Sequence, residues 1–216
     1  MIDKLKKILT LLKEPRVFRK LISLRFNGFL ADAGWFRSFA NQTPMDDACS
    51  PLPWVTYPFI RFIEKRLSKE FDLFEFGSGN STLFYSQRVK TVTTVEHDKE
   101  WFERMGSSVS DNVHLVFRSL DSGENYVQAA LEVGKKFDMI IVDGRKRVDC
   151  IKSCLAALKE DGVVVLDDSE RENYREGISF LRSHRFRHLD FWGIAPGCED
   201  EKCTSLFYRS NNCFGI

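Results

Sequence analysis

No run in this chain approaches the roughly 18 consecutive apolar residues that a membrane-spanning helix needs, and the N-terminus lacks a continuous apolar core followed by a small-residue cleavage site. The expectation is a protein that is neither exported nor transmembrane, and so cytoplasmic. A cysteine framework is also missing. Cys49, Cys150, Cys154, Cys198, Cys203 and Cys213 are scattered, with no Cys-x-x-Cys pair, so reduced thiols are expected. The acceptor patterns at Asn41 and Asn80 have no consequence without a secretion signal. A large charge excess is absent too. The formal net charge is +1, which lacks the electrostatic footprint of a dedicated nucleic-acid binder, and no nucleic-acid partner is expected. Internal repeats and low-complexity tracts are likewise missing.

What is present is enough for one domain with an extension: 216 residues, 43% of them hydrophobic. The charge is unevenly spread. Residues 1–30 carry eight Lys or Arg against Asp3 and Glu14, a net +6 that leaves −5 for the remainder. In that segment Leu5, Ile8, Leu9 and Leu12 are at helical spacing, and after Pro15 so are Val17, Phe18, Leu21 and Ile22. Two short basic amphipathic helices are expected, of a kind that can lie on an anionic membrane surface as a peripheral contact. Residues 31–55 read as an irregular loop with aromatic anchors at Trp35, Phe36 and Trp54, and a helix should follow Pro53. The division expected is a helical extension with an aromatic loop over 1–52 and a binding domain over 53–216.

From residue 71 the pattern becomes short apolar runs separated by helical segments: 73–76, 92–95, 113–117, 139–142 and 163–166. This is the signature of repeated βαβ units. Two further runs, 186–192 and 204–208, are separated by a Gly, Pro and acidic loop rather than a helix, which points to antiparallel pairing at the C-terminal edge. The fold class expected is α/β: a doubly wound, mostly parallel seven-stranded sheet with an antiparallel C-terminal edge strand and an N-terminal helical extension.

The strongest local signal is Phe71-Asp-Leu-Phe-Glu-Phe-Gly-Ser-Gly-Asn-Ser-Thr82. An apolar strand runs into Glu75, Gly77 and Gly79 and then into a helix opening near Ser81. Glycine permits positive φ and close approach of backbone to a ligand, and the helix start directs N–H groups at the same spot. Strand-to-helix turns favour glycine in any α/β protein, so this pattern alone is weak. A second strand end, Thr91-Val-Thr-Thr-Val-Glu96, puts a carboxylate 17 residues after Gly79, where it can accept hydrogen bonds from both hydroxyls of a ribose. The third glycine of a dinucleotide fingerprint would fall at Thr82, and no Lys-Ser/Thr pair follows, so a pyrophosphate ligand is disfavoured.

With Val95-Glu96-His97-Asp98 and Ile141-Val142-Asp143-Gly144, these residues resemble the class I S-adenosylmethionine-dependent methyltransferases, from about Trp54 to Tyr208. The resemblance implies S-adenosylmethionine as cofactor, with Glu75, Gly77, Gly79 and Ser81 at the methionyl moiety and Glu96 on the ribose. His97 and Asp121 would lie near the adenine; the alternative for each is a solvated turn residue. Thr56 and Tyr57 would reach the pocket if the aromatic stretches around Trp35 and Trp54 form a lid, against their commoner use in packing on the sheet.

Asp143, Asp167 and Asp168 end the fourth and fifth apolar runs. They are similar in placement to the acids of metal-dependent O-methyltransferases of the catechol and macrolide-sugar types, which implies a magnesium site that would orient a substrate hydroxyl. Two alternatives stand beside it: Asp167 or Asp168 caps a helix beginning near Ser169, or Asp143 is the base of a metal-free enzyme. Arg145 and Lys146 depart from an all-acidic rim and fit neutralisation of Asp143 or an anionic substrate group. The catalytic candidates are thus Asp143, Arg145 and Asp168. The acceptor expected is a hydroxyl of a small molecule or sugar. Two competing functions are aminopropyl transfer on the same fold, which Asp143-Gly-Arg does not match, and a non-catalytic membrane-surface or partner module, supported by the basic N-terminus.

Overall fold

The computed structural model describes residues 10–121 and 125–216. Leu5, Ile8 and Leu9 of the first expected helix lie outside the described residues. Helix α1, Pro15–Leu24, starts on a proline, whose fixed φ suits the first helical position. None of its residues is buried, and Val17, Leu21 and Ile22 are exposed beside Arg16, Arg19 and Lys20. Helices α2, Phe29–Asp32, and α3, Trp35–Asn41, follow, and α4, Tyr57–Ile63, opens with a proline in its first turn.

The sheet then alternates with helices in chain order: β1 Asp72–Phe76, α5 Asn80–Ser86, β2 Thr91–Glu96, α6 Lys99–Gly106, β3 Val113–Phe117, α7 Asn125–Glu132, β4 Phe137–Val142, α8 Arg147–Cys154, β5 Leu158–Asp167, α9 Arg175–Ser183, β6 Arg187–Gly193 and β7 Lys202–Tyr208. The spatial order is β3-β2-β1-β4-β5-β7-β6. β1 to β5 pair in parallel. β7 runs antiparallel to β5, and β6 antiparallel to β7 on the outside, so the expected antiparallel pairing is present with β6 as the outermost strand.

Both faces of the sheet are covered, and the strand residues divide between them with period two. On one face Leu73, Met139, Ile141, Val163 and Val165 pack with Phe59, Ile63, Phe84 and Tyr85 from α4 and α5. On the other Phe74, Phe76, Ile140, Val142, Val164 and Leu166 pack with Tyr126, Ile151 and Leu181 from α7, α8 and α9. Burial on both faces is why these strands read as continuous apolar runs. The helices after β1 and β4 go to opposite faces, so the strand order reverses at β1 and leaves a crevice at the carboxyl ends of β1, β2 and β4, the usual ligand position in open α/β sheets.

The segment before α4 closes part of this crevice. The side-chain amide of Asn80, at the start of α5, donates to Pro44 O at 2.7 Å, while the indole N–H groups of Trp35 and Trp54 donate to Cys198 O and Pro196 O, each at 2.8 Å. One expected element does not form: no helix begins near Ser169. The chain instead makes a short 3-10 turn over Glu172–Tyr174 before α9, because Ser169 N is bound to Cys203 O of β7 at 2.9 Å.

Candidate active site

Gly77 is the residue that turns the chain out of β1. Its φ is +97°, which favours glycine, and a Cβ there would stand 3.3 Å from the Gly144 backbone. Gly144, just past β4, is the tighter of the two: a Cβ on it would fall 2.1 Å from the Tyr126 hydroxyl and 2.9 Å from Phe76 O. The two strand ends can approach only because both positions lack side chains. Gly79 differs. Its φ of 164° is extended backbone open to any residue, so its glycine keeps the turn open and is not a conformational necessity.

Glu75 points away from solvent at 1% exposure and accepts the Thr82 hydroxyl at 2.6 Å, while Thr82 Oγ1 accepts Gly79 N–H at 3.1 Å. Burial pushes the Glu75 carboxyl up to about 7, although the Ser81 and Thr82 hydroxyls act against this. A folded-state value above the ordinary 4.5 means that the folded protein holds this proton more tightly than the unfolded chain. The stability it contributes is complete below pH 4.5 and is lost as the pH rises through 7. Replacing Glu75 by Gln should therefore change stability little at pH 5 and raise it by up to about 3 kcal/mol at pH 8. Thermal melts at the two pH values check this, and a wild-type to variant difference that does not change with pH would show Glu75 to be ionised when folded.

At the end of β2, Glu96 is gripped from four sides. Oε2 accepts Ser78 N–H at 3.1 Å and the Ser78 hydroxyl at 2.8 Å. Oε1 accepts the N–H groups of His97 at 2.7 Å and Asp98 at 2.9 Å, and His97 Nδ1 lies 2.8 Å from the same oxygen. Ser78, between the two glycines, supplies the hydroxyl donor of this set. Trp101 closes the turn from the far side, its indole N–H donating to Ser78 O at 2.9 Å.

A cavity of about 260 Å3 lies over this turn, lined by Thr43, Pro44, Trp54, Ser78, Gly79 and Asp143 among others. It brings the turn of β1 together with the acid of β4. Tyr57 is elsewhere: its side chain is buried, its hydroxyl donates to Ala33 O at 3.2 Å, and it packs edge-on to Phe29. The expected reach of Thr56 and Tyr57 into the pocket is corrected accordingly, since Thr56 donates to Phe191 O at 2.9 Å. Asp121 sits on a turn after β3, its N–H bound to Ser119 Oγ at 3.2 Å, and does not line the cavity.

The three acids are organised by cations. Arg147, at the first position of α8, binds Asp143 Oδ1 at 2.9 Å and reaches Asp168 Oδ2 at 3.3 Å. Lys202, from β7, bridges Asp167 and Asp168, at 2.6 Å from the latter, and Arg171 meets Asp168 at 2.8 Å. Thr204 donates to Asp167 at 2.7 Å. Burial, and then the neighbouring Asp167, push the Asp143 carboxyl well above the usual carboxylate range against the pull of Arg147. Asp168 goes the other way: burial would raise it, but Lys202, Arg147 and Arg171 together hold it below its ordinary value.

Among the described residues no three His, Cys, Asp or Glu side chains converge as a metal site. An ammonium bridges Asp167 and Asp168, and a guanidinium binds Asp143, so the residues do not fit a divalent ion and the magnesium expectation is corrected on that ground. The cap alternative is corrected as well, since Asp168 has φ +53° and serves ion pairs rather than a helix start.

Sequence reasoning missed Lys202, Arg147 and Ser78, and also Tyr85. The Tyr85 hydroxyl is fully buried with no hydrogen-bond partner, within electrostatic reach of Glu75, Asp143 and Asp167. Its position one helical turn after Ser81 was the available signal.

Comparison with known proteins adds to this geometry. Residues 74–169 match the family model described as a methyltransferase domain. No curated protein matches the chain. Among solved structures, a protein from Klebsiella pneumoniae named as an inferred O-methyltransferase has 16% identity and a TM-score of 0.58, over 90% of this chain and 96% of its own. A precorrin-6y C5,15-methyltransferase from Geobacter metallireducens has 14% identity and a TM-score of 0.56, over 79% and 96%. A Staphylococcus aureus protein named as an inferred caffeoyl-CoA O-methyltransferase has 13% identity and a TM-score of 0.55, over 89% and 98%. At these identities the structures share the fold, and their acceptors differ. Residues 74–169 are thus similar in sequence to methyltransferase domains, and the seven-stranded sheet has the fold of these solved methyltransferase structures.

Proposed function

We propose that this protein transfers the methyl group of S-adenosylmethionine to a hydroxyl oxygen of a small molecule, with Asp143 as general base and no divalent ion. The observation that carries the reading is that the Asp143 carboxyl, raised in pKa, lines the same cavity as the Gly77 to Gly79 turn. Bound there, the cofactor supplies an electrophilic methyl on a sulfonium.

The residues fit such a group. A turn without side chains at Gly77 and Gly79, an open helix start at Asn80 and a carboxylate at Glu96 form the donor and acceptor set of a nucleoside without pyrophosphate. Glu96 already holds four hydrogen bonds, so a ribose hydroxyl is accommodated when the Ser78 hydroxyl rotates off Oε2. The cavity, about 260 Å3, is below the range of roughly 300 to 1,000 Å3 usual for small-molecule sites, so it would hold only part of the cofactor, with Glu96 outside its lining left to meet the nucleoside. Trp54, Trp101 and the 42–44 segment shield the reacting end from water.

Arg147 holds Asp143 through Oδ1, fixing the carboxylate so that it meets the acceptor hydroxyl. With the cofactor bound, the hydroxyl proton would pass to Asp143 as the oxygen bonds to the methyl carbon and the carbon–sulfur bond breaks, its electron pair leaving on the thioether sulfur, while Arg147 orients the base.

The test is binding. S-adenosylhomocysteine should raise the melting temperature while NAD and ATP do not, and replacing Glu96 by Ala should weaken S-adenosylhomocysteine by about 1 to 3 kcal/mol. Titration calorimetry that finds equal affinity in the Glu96→Ala variant removes Glu96 from the site, and equal stabilisation by NAD overturns the cofactor assignment.

A further inference from the structure

Helix α1, Pro15–Leu24, is strongly amphipathic, yet none of its residues is buried. Val17, Leu21 and Leu24 follow one another at helical spacing with Phe18 and Ile22 beside them, while Arg16, Arg19, Lys20 and Ser23 run along the opposite side. An apolar stripe of this kind ordinarily faces a core. Here Val17, Leu21 and Ile22 remain 45%, 47% and 48% exposed, and Phe26, just past the helix, 70%. The same stretch carries Arg16, Arg19, Lys20 and Arg25 and no acid between Pro15 and Phe26. Arg25 lies over the Phe36 ring at 5.3 Å, which ties the end of α1 to α3. Arg16, Arg19 and Lys20 are exposed and enter no ion pair among the described residues.

We infer that α1 lies along an anionic membrane surface, with Val17, Leu21, Ile22 and Phe26 in the acyl boundary and Arg16, Arg19 and Lys20 at the headgroup phosphates. The uncovered stripe supplies the apolar contact, and the long basic side chains reach past the helix to the charged layer while their stems stay on apolar surface. Charge decides the occupant. A second copy seated on this face would bring an acid-free helix against itself in an isologous contact, like charge against like, whereas an anionic bilayer complements the cations and the apolar stripe together. The site is independent of the chemistry at Asp143, and it makes the enzyme a peripheral one without any membrane-spanning helix.

The probes are phosphatidylcholine vesicles with and without phosphatidylserine, sedimented with the full chain at low and high salt. Sedimentation with the phosphatidylserine vesicles at low salt is expected, with little on phosphatidylcholine alone and loss of binding at high salt. The triple variant Arg16→Gln, Arg19→Gln, Lys20→Gln should bind roughly tenfold to a hundredfold more weakly. The variant Leu21→Ser, Ile22→Ser keeps every charge and should still lose at least about tenfold, because adsorption by charge alone does not use the stripe. Replacing Lys65, Lys69 and Lys90 by Gln removes the same charge from exposed positions outside the segment and should leave binding unchanged. Since all the substituted residues are exposed, the melting temperature of each variant should match the wild type, which separates lost binding from lost folding. No sedimentation with anionic vesicles, equal weakening in the two charge variants, or full binding by the Ser variant would each overturn the inference. So would a dimer, detected by sedimentation velocity, that the Ser substitutions dissociate, because the apolar face would then belong to a second copy.

Discussion

Replacing Lys202 by Met is expected to cost about 3 to 5 kcal/mol of stability, because it leaves two buried carboxylates sharing one site without their common cation. Asp167 and Asp168 have side chains only 2% and 9% exposed, and Lys202 only 17%. Burial alone would lower the Lys202 pKa, but Asp167 and Asp168 hold the ammonium firmly charged. The same neighbours act on the acids in opposite directions: Asp167 is raised, by burial first, with Asp168 adding to the effect against Lys202 and Thr204, while Asp168 is lowered. Removing the ammonium takes away the largest attraction in the group and leaves the desolvation in place. Adding Asp167→Asn to the Met variant should restore most of the loss, since the pair is then removed together and the amide can still accept from Thr204. Urea unfolding of the two single variants and the double variant measures the coupling. A loss below 1 kcal/mol in the Met variant would mean that solvent, rather than Lys202, neutralises these acids.

That network also marks the limit of what the sequence reveals about the site. Asp167 and Lys202 are 35 residues apart, and they meet because β7 folds back antiparallel with Asp167 opposite Thr204. No local spacing encodes that contact, so Asp167-Asp-Ser-Glu170 read equally well as metal ligands or as a helix cap. Neither describes it. The strands were legible for the opposite reason. Phe74, Ile140 and Val164 point to one face, Leu73, Met139 and Val163 to the other, and both faces are buried, so a run of apolar residues is itself the signal. β5 was the least complete, since it begins at Leu158 among polar residues that no periodicity distinguishes from a loop.

The glycine turn and Glu96 were legible because each combines a strand with its own end. What hid was the support around them. Ser78 holds Glu96, and Gly144 admits the Tyr126 hydroxyl, yet both are small residues in glycine-rich turns with nothing to set them apart. Tyr57 erred in the other direction. An aromatic beside the expected lid looked available for a pocket, but its ring had a core to fill and its hydroxyl a carbonyl to reach.

Replacing Asp143 by Asn should lower turnover by roughly 100- to 10,000-fold, the usual contribution of a positioned general base, on whichever hydroxylated acceptor the wild type methylates. Asn keeps the size of the side chain and can still accept from Arg147 through its amide oxygen, so the affinity for S-adenosylhomocysteine should stay within a few fold and the loss should appear in kcat rather than in cofactor binding. The pH profile separates this from a structural effect. A base works in its ionised form, so wild-type kcat should rise with pH through an Asp143 pKa set above the carboxylate range by burial and by Asp167, and the residual activity of the Asn variant should lack that rise. Excess chelator should leave wild-type turnover in place, because the cationic partners of these acids are Arg147, Lys202 and Arg171. Retention of more than about a tenth of turnover in the Asn variant, well short of the smallest loss expected for a base, would remove Asp143 from that role. Loss of turnover with chelator and its return with magnesium would show that an ion displaces Lys202 from the acids when the acceptor binds.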